Sequence, residues 1–222
     1  MLDKINDDLI FLGRSISNYV VGMEGNVSKK TKSGFLIKAS GTKLSTFSES
    51  DIINFNFFGE QLDNFSKKGS MELEFHKYLL GYENINYIAH THPVNTLKIL
   101  CTNLSEEFSD NRIFPDQVIF NQKKSCLISY AKPGENLFNL IKKELPKFIE
   151  KENFFPKLIL LKNHGIITCG KSVDECIIST EICEKSAEIF LSSRNIGINF
   201  LSTKDVEELL NDEKEKYRTL QL

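Results

Sequence analysis

Between Lys157 and Lys162 the chain reads Leu-Ile-Leu-Leu, with no polar side chain to turn toward water. So short and so apolar a run predicts a buried strand, which needs cover from other elements. Residues 34–39, 85–92, 118–120, 126–130 and 166–169 are further strand candidates. Apolar positions Ile5, Leu9, Ile10, Leu12, Ile16 and Val20 have helical spacing and predict an amphipathic helix from Asp3 to about Tyr19. Helices are also expected over 72–81, with Ser70 as its cap, through Leu97 and Leu100, and over 135–149, 172–192 and 203–217. Strands and helices alternate irregularly, with no internal repeat and no Pro/Gly/Ser-rich linker. The expectation is one mixed α/β layered domain over residues 1–222, built on a central sheet.

The 222 residues are 41% hydrophobic and 26% charged, which excludes a mainly disordered, collagen-like or coiled-coil chain. Lys+Arg is 28 against Asp+Glu 30, a net charge of -2, so binding to nucleic acid through phosphate neutralisation is not expected. No run approaches the roughly 18 apolar residues of a membrane span. The N-terminal twenty residues are too often interrupted by charge for a signal peptide, so a cytoplasmic protein is expected. Cys101, Cys126, Cys169, Cys176 and Cys183 show no Cys-x-x-Cys spacing and are expected to be reduced.

There are four histidines. His90 and His92 end one apolar strand and, two apart, point to the same side of it. His164 ends another, in Lys-Asn-His-Gly. If the two strand ends meet, three imidazoles with an open fourth position make a catalytic zinc arrangement, which manganese or cobalt could also fill. If they do not, His90-Thr-His92 is a hydrogen-bonding or surface pair. Glu72 and His76 are four apart on one helix face, so they are either a capping acid with a half-exposed histidine or an acid near the metal, while Glu74 points to solvent. Gly25-Asn-Val-Ser28 and Ala39-Ser-Gly-Thr42 read as turns whose N–H and hydroxyl donors suit a phosphate or carboxylate.

Taken in order, Gly25-Asn-Val-Ser28, Lys38-Ala-Ser-Gly-Thr42, Ser70-Met-Glu72, His90-Thr-His92, Tyr130-Ala-Lys-Pro-Gly134 and Asn163-His-Gly165 resemble the class II aldolase/adducin family. The family includes sugar-phosphate aldolases, an epimerase and a dehydratase. The resemblance implies a three-layer α/β/α sandwich around a central, mostly antiparallel sheet. It also implies a homotetramer with active sites at subunit interfaces, and a phosphorylated sugar as the small-molecule substrate. His90, His92 and His164 would be ligands of Zn2+, or of Mn2+ or Co2+, and Glu72 the catalytic acid/base. Asn26, Ser40, Gly41 and Ser70 would hold the substrate phosphate. Tyr130 would be a second catalytic residue near the site, and Tyr217 would serve a neighbouring subunit. The implied reaction is retro-aldol cleavage of a hydroxy-ketone sugar phosphate through a metal-stabilised enediolate. Dehydration, epimerisation or decarboxylation at the same site, or a non-catalytic adducin-like assembly role, are the alternatives. Met71 departs from the family pattern, standing where a second phosphate-binding serine can occur.

Overall fold

The computed structural model describes residues 6–63 and 66–220. Helix α1 (Asp7–Ser15) leads through a 3-10 turn to strands β1 (Asn26–Lys30), β2 (Gly34–Lys38) and β3 (Ile52–Asn56). Then come α2 (Leu73–Leu80), β4 (Tyr87–Thr91), α3 (Val94–Leu100), α4 (Ser105–Asp110), α5 (Pro115–Asn121) and β5 (Cys126–Ile128). The chain continues through α6 (Glu135–Glu152), β6 (Leu158–Leu161), β7 (Gly165–Gly170), α7 (Val173–Ser193), α8 (Thr203–Asn211) and α9 (Glu213–Thr219). The sheet runs β3-β2-β1-β4-β7-β6-β5, antiparallel throughout except for β5 beside β6.

The period-two alternation of strand side chains splits the core between two faces. Ile159 and Leu161 of β6 join Phe35, Ile37, Ile88 and Ile167 against Phe75 and Leu79 of α2 and Ile141 of α6. Leu158 and Leu160 face the other way, toward Ile99, Phe108, Ala187 and Phe190 of α3, α4 and α7. On that same side Leu9 and Leu12 of α1 pack on Leu36 and Ala89. Thus the Leu-Ile-Leu-Leu run is covered on both faces, and the architecture is the expected α/β/α sandwich.

Several local expectations are corrected. Residues 118–120 are helical, within α5, although Val118-Ile-Phe120 favours a strand. Pro115 stands in the first turn of α5, and Val118 and Ile119 are buried. Proline preorganises a helix start, and burial then overrides the weak β preference. The Gly25-Asn-Val-Ser28 segment is not a turn from Asn26 onward. It is β1, paired with β2 on one side and β4 on the other, with Asn26 opposite His90. Strands β1 and β3 and helix α4 are not among the expected elements; β1 and α4 are short and polar-rich, and β3 is only five residues long. The expected helix 203–217 is broken at Asp212, whose carboxylate accepts from the backbone N–H groups of Lys214 and Glu215 and starts α9 afresh. Of the expected first helix, Asp3 and Ile5 lie outside the described residues, and α1 ends at Ser15. Ser70 does not occupy the cap position of α2. Glu72 does, and the Ser70 hydroxyl accepts from the Glu72 N–H at 3.2 Å.

Candidate active site

β4 and β7, seventy-odd residues apart in sequence, lie side by side with Thr91 opposite Ile166 and His90 opposite Ile167. That pairing brings the turn after β6 against the end of β4. Asn163 adopts a left-handed backbone, φ 56°, and presents His164 to the pair His90/His92. Gly165 lets the strands close, since a Cβ there would meet the Thr91 carbonyl at 2.4 Å and His92 Cδ2 at 2.5 Å. The three ring centroids lie 4.8, 4.8 and 5.2 Å apart.

One potential ligand atom from each imidazole falls within 4.8 Å of the others, so the three could hold a metal ion. His90 Nδ1 lies 2.8 Å from the Ile166 carbonyl, an acceptor only, so Nδ1 carries the proton and Nε2 presents a lone pair inward. The Nε2 atoms of His90 and His92 are 3.1 Å apart. Two nitrogens on one tetrahedral zinc, each about 2.0–2.1 Å from it, would be about 3.3–3.4 Å apart. The donor set and its spacing therefore fit a divalent transition metal. Burial first, and then the neighbouring His92, push His90 down to about 3. Burial, and then His90, push His164 down to about 4. Both rings are neutral at physiological pH, the state a metal ligand needs. The Glu24 carboxylate lies 3.3 Å from His92 Nδ1, where it can orient that ring.

Glu72, at the start of α2, reaches two of these rings. Its Oε2 is 3.3 Å from His90 Nε2, and its Oε1 is 3.5 Å from His164 Nε2. The two oxygens have unlike surroundings. Oε2 accepts from Asn26 Nδ2 at 2.9 Å, whereas Oε1 is buried with no hydrogen-bond partner among the described residues. A buried carboxylate oxygen without a donor is costly unless something else meets it.

The cleft above these groups encloses about 220 Å³, and its walls include Asn26, Ser40, Gly41 and Ser70. Its two loops are tied together: the Ser40 N–H donates to the Lys68 carbonyl at 2.9 Å, and Asn26 Nδ2 donates to Ser70 Oγ at 3.3 Å. The expected phosphate-binding residues thus share one wall, although more than forty residues separate the first from the last. Met71 also lines the cleft but is 78% exposed, and Glu74 faces solvent in a pair with Lys77. Tyr130 is 60% exposed and does not line the cleft, whereas Pro133 of the same segment does. Tyr217 is likewise exposed and does not line the cleft.

Sequence reasoning missed Glu24 and Lys38 as site residues and read His76 as half-exposed. Lys38 is buried beside the Ser40-Gly41 loop and donates to the Thr42 carbonyl at 2.6 Å. Burial holds its ammonium down to about 8. His76 is wholly buried between β1 and α2. A burial reversal of this kind has no local signal. The five cysteines are free, and only Cys101 is exposed. No helix among the described residues is long and apolar enough to cross a membrane.

The profile of the Class II Aldolase and Adducin N-terminal domain family matches residues 14–191. An L-fuculose phosphate aldolase of Methanococcus maripaludis strain C5 is 31% identical over 180 residues, covering 81% of this chain and 90% of its own. A 3-oxo-tetronate 4-phosphate decarboxylase of Haemophilus influenzae is 25% identical over 212 residues, covering 91% of this chain and 94% of its own. Among solved structures, YgbL of Klebsiella pneumoniae superposes with a TM-score of 0.79 at 23% identity, covering 93% of this chain and 98% of its own. An L-fuculose 1-phosphate aldolase superposes with a TM-score of 0.77 at 21% identity, covering 96% of each chain. Fold likeness and sequence likeness agree, and the chain belongs to the Class II Aldolase and Adducin N-terminal domain family as an enzyme of its class II aldolase type.

Proposed function

We propose that this enzyme cleaves a hydroxy-ketone sugar phosphate by a retro-aldol reaction at the His90/His92/His164 centre. The observation that carries the reading is the Glu72 carboxylate, 7% exposed, with one oxygen that has no hydrogen-bond partner among the described residues, beside the neutral imidazoles of His90 and His164. His90, His92 and His164 would hold a divalent ion, with zinc the best match to three nitrogen donors. Such an ion supplies Lewis-acid stabilisation of the negative charge that develops on a substrate oxygen. Glu72 does the proton work. Oε2 stays anchored to Asn26, and Oε1 takes the proton from a substrate hydroxyl and returns it to carbon. Asn26, Ser40, the Gly41 backbone and Ser70 receive the phosphate, which aligns the bond to be broken.

Decarboxylation of a 3-oxo acid sugar phosphate is the second reading. The Haemophilus influenzae relative named for that reaction is 25% identical over 212 residues and covers 91% of this chain. Assembly as a homotetramer is part of the proposal. Met23 and Met71, both largely exposed, stand at the mouth of the cleft, where a neighbouring subunit would cover them. Tyr217 and Tyr130 would then be completed by, or reach toward, such a neighbour.

The deciding experiment incubates zinc-loaded protein with ketose 1-phosphates and with 3-oxo acid sugar phosphates, identifying products by NMR. Retro-aldol activity yields dihydroxyacetone phosphate and an aldehyde from the first set. Carbon dioxide released from the second set alone would replace the aldolase reading with the decarboxylase one.

A further inference from the structure

His76 plays no part in the reaction just described, yet it is fully buried and has a polar partner at each ring nitrogen. On one side Ser28 Oγ lies 2.6 Å from Nδ1. On the other Nε2 faces Asn26 Oδ1 in a short contact. Asn26 and Ser28 are two apart on β1, so both point to the face that α2 covers. The direction of each hydrogen bond follows from what each atom can do. The Glu72 carboxylate only accepts, so Asn26 must turn its NH2 toward Glu72 Oε2 and Ser70 Oγ. The amide carbonyl is then left facing His76, and it too only accepts. His76 must therefore carry its proton on Nε2, which leaves Nδ1 as a lone pair for the Ser28 hydroxyl to donate into.

We infer that His76 is a positioning residue: held by Ser28 as its Nε2–H tautomer, it locks the Asn26 amide with its NH2 toward Glu72 and the phosphate wall. Without that donor the amide can flip, and its carbonyl would then face the Glu72 carboxylate and the phosphate, two repulsive contacts in place of two attractive ones. An amide held in one sense by a buried ring is preorganised for an anion. The inference rests on the phosphate-wall reading for its effect on binding, but not for the tautomer.

Two measurements test it. Long-range proton–nitrogen spectra of histidine-labelled protein report which ring nitrogen is protonated, and only four rings need assignment. His76 is expected as Nε2–H, and an Nδ1–H ring overturns the inference whatever the enzyme's substrate. Binding of inorganic phosphate to the metal-loaded protein is then compared by calorimetry. His76→Leu is expected to weaken it about tenfold or more, the scale of a lost hydrogen bond to a charge. His76→Gln, which returns an N–H donor near the Nε2 position, is expected to stay within about threefold of wild type, a rescue that a purely space-filling role would not give. Equal weakening in both variants overturns the inference. If His76→Leu does not fold, Ser28→Ala carries the test: a mixed tautomer with weaker phosphate binding supports the inference, and a mixed tautomer with unchanged binding sinks it. Wild-type protein that binds no phosphate, with His76 still Nε2–H, would remove the phosphate wall and leave the tautomer lock standing.

Discussion

At the scale of single residues, the divided surroundings of Glu72 assign its two oxygens different tasks. Glu72→Gln keeps the shape and the contact with Asn26 but cannot carry a proton. Turnover is expected to fall by about 100-fold or more, the lower range of general acid–base contributions, with metal content unchanged by elemental analysis. Unaltered turnover would take Glu72 out of the mechanism. The neutral imidazoles make a separate prediction about pH. In the unfolded chain these rings have the ordinary value of 6.5, while in the folded protein His90 is held at about 3 and His164 at about 4. Between those limits the unfolded chain binds more protons, so the folded state of the metal-free protein is fully favoured above pH 6.5 and loses stability as pH falls toward 3. Melting temperatures recorded from pH 7 to pH 4 should fall throughout that range. A flat profile would mean that the rings are protonated in the folded state.

At the scale of elements, the site depends on how closely β4 and β7 approach and on how α3 begins. Gly165→Ala would put a methyl group inside contact distance of the Thr91 carbonyl and the His92 ring. It is expected to cost about 1–3 kcal/mol, as overpacking does, and to weaken metal binding along with it. Calorimetric titration of the metal would detect the second effect. α3 starts directly after His92-Pro93, and its first N–H groups are capped from a distance by Glu184 of α7. The Glu184 carboxylate accepts from the backbone of Asn95 and Thr96 at 2.8 and 2.9 Å, and from Thr96 Oγ1 at 2.9 Å. Glu184→Ala removes these bonds and is expected to destabilise the protein by about 1–2 kcal/mol, the range of a lost helix cap. A shift in the urea midpoint at constant slope would record it. Elements with a clear local pattern, such as the amphipathic α6 and the wholly apolar β6, were legible in the sequence. Those held by partners were not. β1 is a strand because β2 and β4 flank it, and α5 is a helix because Pro115 starts it and α7 covers it.

At the scale of the whole molecule, a metal that binds the folded chain and not the unfolded one must stabilise it. At a free concentration about 100-fold above its Kd the gain is about 2.7 kcal/mol. Chelation is therefore expected to lower the melting temperature, and returning zinc to restore it. His164→Asn should melt at one temperature with or without chelator, and a wild type equally indifferent would remove the metal from the site. The site is assembled from segments near residues 26, 40, 70, 90 and 164, joined through a seven-stranded sheet. Some of this could be read along the chain. Alternation on a strand puts His90 and His92 on one side, four-residue spacing puts Glu72 and His76 on one face of a helix, and a run of aliphatic residues needs cover. Those rules act over a few residues, where backbone geometry is enough. Whether His164 meets the other two imidazoles, and whether His76 is sealed between β1 and α2, depended on which strands pair across the sheet. Such pairing is settled by the burial of the entire core at once, and it leaves no mark in the residues on either side of a histidine.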